Sequence, residues 1–179
     1  LANKYSNNIV AVELQQKIFN LAKNSVDLNK MSKQIKIIND NAINIDKYYK
    51  TEYFDIVSCN PPYFKIHQKS IINLNDYKSI ARHELKINLE EIISIASRML
   101  KNKGYFYLVH RTERLEEIIH TLNKYNLRIK NIQFVYTKDN DNSSLVLIKA
   151  LKNGNFGLKV NPPIFINRYN SYKNIFKED

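Results

Sequence analysis

One short stretch of the chain combines hydrogen-bond acceptors with aromatic rings in the order Asn60-Pro61-Pro62-Tyr63-Phe64. It follows an apolar run rich in β-forming residues, which predicts a buried strand over Phe54–Cys59. Because the prolines lack N–H donors and fix φ, that strand must end at Asn60. The Asn60 side-chain oxygen and the Pro61 carbonyl oxygen can accept both hydrogens of one planar amino group, on which the Tyr63 ring can stack. The pattern predicts an amine-binding loop; a strand-terminating turn with a packed tyrosine is the alternative.

Acidic and amide residues follow two earlier predicted strands. Glu13 closes the first apolar run, and Asp40-Asn41-Ala42 follows the second. The carboxyl ends of parallel strands face one crevice, where open α/β sheets bind ligands. There Glu13 can accept both hydroxyl hydrogens of a ribose, and Asp40 can accept from an adenine amino group while the backbone of Asn41 or Ala42 serves the ring nitrogens. Two structural alternatives stay open: Glu13 as a residue that favours a helix start, and Asp40 as the N-cap of a short helix.

The segments that would position these residues alternate between strand and helix. Strands are predicted at Ile9–Val12, Ile35–Ile38, Phe54–Cys59 and residues 105–109, with helical spacing of apolar residues between several of them. Two last strands, at residues 127–134 and 145–151, flank a polar turn and are predicted to pair antiparallel. The fold class is therefore α/β: a Rossmann-like, mostly parallel sheet with an antiparallel edge strand and helices on both faces.

Local signals mark the ends of two predicted helices. Asn88 with Glu91 three residues on forms a capping-box pattern, and Gly104 is predicted to end the helix that starts there. Thr112 is predicted to cap the next helix. Together these signals predict helices between the third, fourth and fifth strands.

A long loop without periodicity is predicted over residues 60–86, and loops of this length are usually functional or disordered. Arg82 and His83 lie in it and have two interpretations: a contact to phosphate or to a target base, and a salt-bridged loop anchor. Cys59, at a strand end, is interpreted as a buried structural thiol because no pattern nearby supplies a base. The histidines show no metal-ligand spacing, so no metal site is predicted.

Composition bounds the partners. The 179 residues carry 28 Lys and Arg against 17 Asp and Glu, a net charge of +11 that favours a polyanion such as nucleic acid. Background compositional bias is the alternative, because the sequence is heavy in Lys, Asn and Ile. No apolar run is long enough for a membrane span, no secretory leader is predicted, and the single cysteine fits a reducing cytosol.

The run Asn60-Pro61-Pro62-Tyr63 resembles the hallmark of class I S-adenosylmethionine-dependent methyltransferases that act on planar amino groups: Asn or Asp, two prolines and an aromatic residue after the fourth strand. The likeness extends from about Leu1 to the antiparallel pair ending near Leu151. More narrowly, the chain resembles the bacterial tRNA1(Val) adenine-N6 methyltransferase family in Val12-Glu13-Leu14-Gln15, in the motif extended by Phe64, in Ala81-Arg82-His83-Glu84 and in Asn161-Pro162-Pro163-Ile164.

This resemblance implies a cytoplasmic enzyme that moves the methyl group of S-adenosyl-L-methionine to the N6 amine of an adenine in RNA, most of all in tRNA. The implied catalytic residues are Asn60, Pro61 and Tyr63. The implied cofactor-binding residues are Glu13, Asp40, Asn41, Ala42 and Asn60. The implied substrate-binding residues are Pro62, Tyr63, Phe64, Arg82 and His83.

One departure accompanies the resemblance. The superfamily binds the methionine part of the cofactor with a glycine-rich loop after its first strand, and no such loop precedes Ile9. We therefore expect a single methyltransferase domain over residues 1–179 that lacks its first strand. Three alternative functions stay open: a release-factor-type protein glutamine methyltransferase, a DNA adenine methyltransferase, and a non-catalytic RNA-binding remnant.

Overall fold

The structure, a computed structural model, describes residues 8–61, 87–138 and 141–166. The chain divides into two compact units, Leu1–Tyr49 with Lys69–Ile87 and Lys50–Gln68 with Asn88–Asp179. Among the residues described, no helix is both long and apolar enough to cross a membrane. Five residues of the predicted substrate site lie outside these ranges, namely Pro62, Tyr63, Phe64, Arg82 and His83.

The first unit contains one strand–helix–strand motif followed by a short 3₁₀ helix: β1 (Ile9–Val12), α1 (Gln16–Leu28), β2 (Ile35–Ile38) and the 3₁₀ helix Ala42–Lys47. The strands pair in parallel over their whole length, as predicted. The apolar spacing of α1 gives the expected helix, but Leu21 is 66% exposed and no residue of α1 is buried.

The second unit contains β3 (Phe54–Cys59), α2 (Leu89–Met99), β4 (Leu100–Arg111), a 3₁₀ turn (Thr112–Arg114), α3 (Leu115–Lys124), β5 (Leu127–Tyr136), β6 (Leu145–Lys152), β7 (Lys159–Val160) and β8 (Ile164–Phe165). Thr112 therefore begins the 3₁₀ turn, and α3 starts at Leu115, two residues later than a cap at Thr112 would place it.

The second unit's sheet has the strand order β3-β4-β6-β5-β7, and β8 also pairs with β5. The pairs β3–β4, β5–β7 and β5–β8 are parallel, whereas β6 runs antiparallel to both neighbours. The antiparallel pairing of the last two long strands is confirmed. The antiparallel strand lies inside the sheet, because the short strands β7 and β8 extend the sheet beyond β5.

One face of this sheet carries the core. Alternate residues of β4 and β6 point to it, and Phe106 and Leu108 are essentially inaccessible there. Apolar residues of α2 and α3, among them Ile93 and Ile118, join the same cluster. The helices thus hold one face of β3 and β4 rigidly, which fixes where the carboxyl end of β3 emerges.

The start of α2 is the predicted capping box. The Asn88 side chain accepts from the Glu91 N–H at 2.9 Å, and the Glu91 carboxylate accepts from the Asn88 N–H at 2.8 Å. The end of α2 differs from the prediction, because the helix stops at Met99 and Leu100 already pairs with Phe54 in β3. Leu100 is completely buried, so packing ends the helix before Gly104.

Replacing Asn88 by alanine is expected to lower the free energy of unfolding by about 1 kcal/mol, because the first turn of α2 loses its side-chain acceptor. Urea denaturation followed by circular dichroism measures the change. Glu91→Gln serves as the control, since glutamine keeps an acceptor for the Asn88 N–H and is expected to cost less. An Asn88→Ala variant as stable as the Glu91→Gln variant would contradict the assignment of the cap.

Candidate nucleoside and amine sites at strand ends

The first candidate site lies at the carboxyl ends of β1 and β2. The Glu13 N–H donates to the Ile38 carbonyl at 3.0 Å, which continues the parallel pairing one residue past β1. The Asn39 side chain donates to the Glu13 carbonyl at 2.8 Å and to the Leu14 carbonyl at 3.1 Å. These bonds hold the two strand ends together, so the structure brings Glu13 and the segment from Asp40 to Ala42 to one edge of the sheet.

The Glu13 carboxylate takes part in the start of α1. Its Oε1 accepts from the backbone N–H of Gln15, the residue before α1, at 2.8 Å. One oxygen of Glu13 therefore has the structural role at a helix start that was the alternative to ribose binding. Because a carboxylate has two acceptor oxygens, this contact fixes the side chain in the half-buried strand end and leaves Oε2 for a second partner.

Asp40 makes three hydrogen bonds within its own segment. Its Oδ1 accepts from the Asn41 N–H at 2.6 Å and from the Asn44 side chain at 2.7 Å, and its Oδ2 accepts from the Tyr48 hydroxyl at 3.0 Å. These donors, with the Asn44 amide foremost, hold the pKa of Asp40 below its usual value. Asp40 is therefore a fixed, ionised acceptor.

Asn41, and not Asp40, is the N-cap of the 3₁₀ helix, because its side chain accepts from the Ile43 N–H at 3.0 Å. The Asn41 N–H itself donates to Asp40, which leaves the Ala42 N–H as the backbone donor of this turn. As the first residue of the helix, Ala42 has no acceptor within the helix for that N–H.

The second candidate site lies at the carboxyl end of β3. Strands β3 and β4 pair in parallel, and their last pair is Cys59 with Leu108. The next residue, Asn60, is exposed, and Pro61 after it is buried. The buried proline anchors the chain directly after the exposed amide. The structure thus holds Asn60 at a strand end, as predicted, with the Pro61 carbonyl one residue further on.

Asn60 lines an open cavity of about 650 Å³ on the face of the second unit's sheet opposite α2 and α3. Tyr107 and Lys149 also line it, and the Lys149 ammonium lies 4.2 Å from the ring centroid of Tyr105 and 5.8 Å from that of Tyr107. The sequence prediction did not include these three residues. The strand alternation around Phe106 and Leu108 is the signal that places the two tyrosines on the opposite face.

Burial disfavours the charged form of two titratable groups at the ends of β3 and β4, namely Cys59 and His110. Burial raises the pKa of the Cys59 thiol to about 11, in keeping with a structural role. Burial, followed by the Arg114 guanidinium, lowers the pKa of His110, whose Nδ1 accepts from the Arg111 N–H at 2.8 Å. Within residues 8–61, 87–138 and 141–166, no three His, Cys, Asp or Glu side chains are grouped so that they could hold a metal ion.

The second Asn-Pro-Pro run packs along β5. The Asn161 N–H donates to the Ile132 carbonyl at 2.8 Å, its side chain accepts from Asn131 at 3.2 Å, and the Pro162 carbonyl accepts from Gln133 at 3.0 Å. These bonds join the turn between β7 and β8 to the neighbouring strand. The second Asn-Pro-Pro run therefore has a structural role, in packing against β5.

Comparisons with known proteins give relatives with one shared name. No family model matches the chain. A protein of Cytophaga hutchinsonii named tRNA1(Val) (adenine(37)-N6)-methyltransferase is 26% identical over 141 residues, which are 78% of this chain and 57% of that protein. A Shewanella protein of the same name is 22% identical over 152 residues, 84% of this chain and 63% of that protein. The matched stretch is thus little more than half of these relatives.

Solved structures give the fold. A predicted O-methyltransferase of Agrobacterium tumefaciens superimposes with a TM-score of 0.65 at 19% identity, covering 89% of this chain and 69% of that one. The [4+2]-cyclase SpnF gives a TM-score of 0.61 at 12% identity over 86% of this chain and 69% of its own. A SAM-dependent methyltransferase of Aquifex aeolicus superimposes with a TM-score of 0.55 at 11% sequence identity, covering 80% of this chain and 68% of that one.

The presence of a cyclase among these structures illustrates that the fold alone does not determine the reaction. The chain has the Rossmann-like fold of S-adenosylmethionine-dependent methyltransferases, and its curated sequence relatives are named tRNA1(Val) adenine-N6-methyltransferases.

Proposed function

We propose that the protein is an S-adenosylmethionine-dependent methyltransferase that acts on the exocyclic N6 amine of an adenine in RNA, with tRNA as the RNA class. The observation that carries this proposal is the exposed Asn60 amide beside the buried Pro61 at the end of a parallel strand, in a chain related to enzymes of that name. Since the matched stretch is 57% of the first relative, the activity is proposed for the whole protein.

The residues at the ends of β1 and β2 fit a nucleoside cofactor. Glu13 is anchored through Oε1, and Oε2 can accept from the ribose hydroxyls. Asp40 is ionised and can accept from the adenine amino group, while the Ala42 N–H can donate to a ring nitrogen. Asn41 contributes through the cap that shapes this turn. When bound, the cofactor supplies the activated methyl group.

Asn60 and Pro61 address the weakness of the substrate amine. The lone pair of an adenine N6 amine is delocalised into the ring, so the nitrogen is a poor nucleophile. Two acceptors, the Asn60 side-chain oxygen and the Pro61 carbonyl oxygen, would bind both amine hydrogens and stabilise the positive charge that develops on nitrogen. They would also orient the amine for in-line attack. This step needs neither a metal ion nor a covalent nucleophile.

The remaining predicted residues complete the proposal for the substrate. Tyr63 would stack on the target adenine, which suits a base that is flipped out or single-stranded. Pro62 and Phe64 would shape the same pocket, while Arg82 and His83 would contact phosphate or the base. The net charge of +11 supports an RNA partner through phosphate contacts. We propose a cytoplasmic location and a single domain, in line with these roles.

The proposal is tested with the whole protein, unmodified tRNA and S-adenosylmethionine carrying an isotope-labelled methyl group. Nucleoside analysis of the product by mass spectrometry is expected to show N6-methyladenosine. A tRNA in which guanosine replaces the target adenosine is the matched control and should remain unlabelled. Label on another nucleoside, on DNA or on a release-factor glutamine would overturn the assignment. RNA binding without saturable cofactor binding would favour the non-catalytic alternative.

A further inference from the structure

The Asp40 carboxylate accepts hydrogen bonds from three donors within its own segment. The Asn41 N–H would satisfy Asp40 in an ordinary turn, yet the Asn44 amide and the Tyr48 hydroxyl also donate to it, at 2.7 and 3.0 Å. The two extra donors bind different oxygens, Oδ1 for Asn44 and Oδ2 for Tyr48. With both oxygens engaged, the carboxylate cannot rotate about its Cβ–Cγ bond without breaking hydrogen bonds.

The 3₁₀ helix Ala42–Lys47 and its C-cap, Tyr48, position the two side-chain donors near Asp40. Asn44, four residues after Asp40, bonds its N–H to the Asn41 carbonyl at 2.9 Å, and Tyr48 bonds its N–H to the Ile45 carbonyl at 3.0 Å. The Ile45 side chain of this helix is buried, with 6% of its surface exposed. These backbone hydrogen bonds fix the main-chain positions of Asn44 and Tyr48, from which their side chains donate to Asp40.

The two oxygens of Asp40 differ in what they can still accept. Oδ1 has two donors from its own segment, which fill its two lone-pair directions. Oδ2 has the Tyr48 hydroxyl as its donor within the segment and therefore retains one direction for a further hydrogen. Because the carboxylate stays ionised, that direction accepts an N–H and repels an oxygen.

We propose that Asn44 and Tyr48 are positioning residues that fix Asp40 so that Oδ2 distinguishes an aminopurine from an oxopurine in the bound cofactor. The inference rests on the proposed cofactor site. An adenine presents an amino hydrogen to Oδ2, whereas hypoxanthine presents a carbonyl oxygen at the same position. If the carboxylate were free to rotate, it would turn away from that oxygen at little cost, and selectivity would fall.

The test compares S-adenosylhomocysteine with S-inosylhomocysteine, its hypoxanthine analogue, by calorimetric titration of the whole protein. The wild-type protein is expected to prefer the adenine ligand by about tenfold or more, the size of one charge-assisted hydrogen bond. Asn44→Ala and Tyr48→Phe are each expected to lower this preference about threefold. Tyr49→Phe is the matched control, since the Tyr49 ring lies under the Lys36 ammonium, 5.5 Å from the ring centroid, and the variant should keep the wild-type preference.

The Asp40→Asn variant distinguishes a failure of the positioning role from a failure of the proposed cofactor site. An asparagine can accept through oxygen or donate through nitrogen, so this variant should bind both ligands about equally. If Asp40→Asn loses the preference while Asn44→Ala and Tyr48→Phe keep it, the positioning role is wrong and the cofactor site stands. If Asp40→Asn keeps the wild-type preference, or the wild-type protein binds neither ligand, the proposed cofactor site fails and the inference with it. Thermal unfolding of each variant confirms that the ratio is measured on folded protein.

Discussion

Replacing Asn60 by alanine is expected to slow methyl transfer by at least about 100-fold, the loss typical of removing one group that stabilises charge in a transition state. The Asn60 amide is exposed at the end of β3, where its oxygen can bind one of the two amine hydrogens. Alanine removes that acceptor and leaves only the Pro61 carbonyl. Single-turnover transfer of labelled methyl to unmodified tRNA by the whole protein measures the rate.

Two variants control for side effects of the change. Asn60→Asp keeps an acceptor oxygen at the same position and is expected to retain more activity than Asn60→Ala. Asn161→Ala removes the asparagine of the second Asn-Pro-Pro run, which lines the same open cavity as Asn60 but whose side chain accepts from Asn131 of β5 at 3.2 Å. It is expected to transfer methyl groups nearly as fast as the wild-type protein, because that run packs against β5.

Affinity measurements locate the loss within the reaction. Asn60 was also assigned to the cofactor, so some loss of S-adenosylhomocysteine affinity is expected, much smaller than the loss of rate. A variant that binds tRNA and cofactor as the wild-type protein does, yet transfers slowly, has lost an interaction made in the transition state. If the Asn60→Ala variant transfers methyl groups at the wild-type rate, this loop does not bind the substrate amine as proposed.

The strand ends were predictable from the sequence because local chemistry fixes them. Prolines after Asn60 prevent further pairing of β3, and the Asn88 cap sets the first turn of α2 through bonds within four residues. Glu13 and Asp40 were placed correctly at strand ends for the same reason. Two of the three donors to Asp40 are the side chains of Asn44 and Tyr48, whose orientation the linear pattern does not show.

The features that the sequence did not predict depend on packing between distant residues. Gly104 marked a helix end in the prediction, but its place in β4 reflects close contact: a Cβ there would lie 3.0 Å from the backbone carbonyl of Asp55. The helix ends earlier because its last carbonyls, at Arg98 and Met99, accept from Glu52 and Tyr53. The register shift of β5 against β6 after Ile129 likewise depends on how the two strands pair.

The stability of the second unit is expected to depend strongly on Phe106. Its side chain is completely buried, and its backbone lies in β4 between Val57 of β3 and Ala150 of β6. Phe106→Ala is expected to lower the free energy of unfolding by about 3–5 kcal/mol, because it removes buried apolar surface and leaves a cavity. Chemical denaturation monitored by circular dichroism measures this loss.

Phe156→Ala is the matched control for that experiment, because the same substitution is made at a ring that is 83% exposed. Its main contact is the Arg128 guanidinium, 5.2 Å from the ring centroid, and such an exposed cation–π contact contributes about 0.5–1 kcal/mol. A Phe106→Ala variant no less stable than Phe156→Ala would mean that the core under β3 and β4 is not formed as described. A large loss confined to Phe106→Ala would instead confirm this core, against which Val57 and Cys59 of β3, the strand that leads to Asn60, are packed.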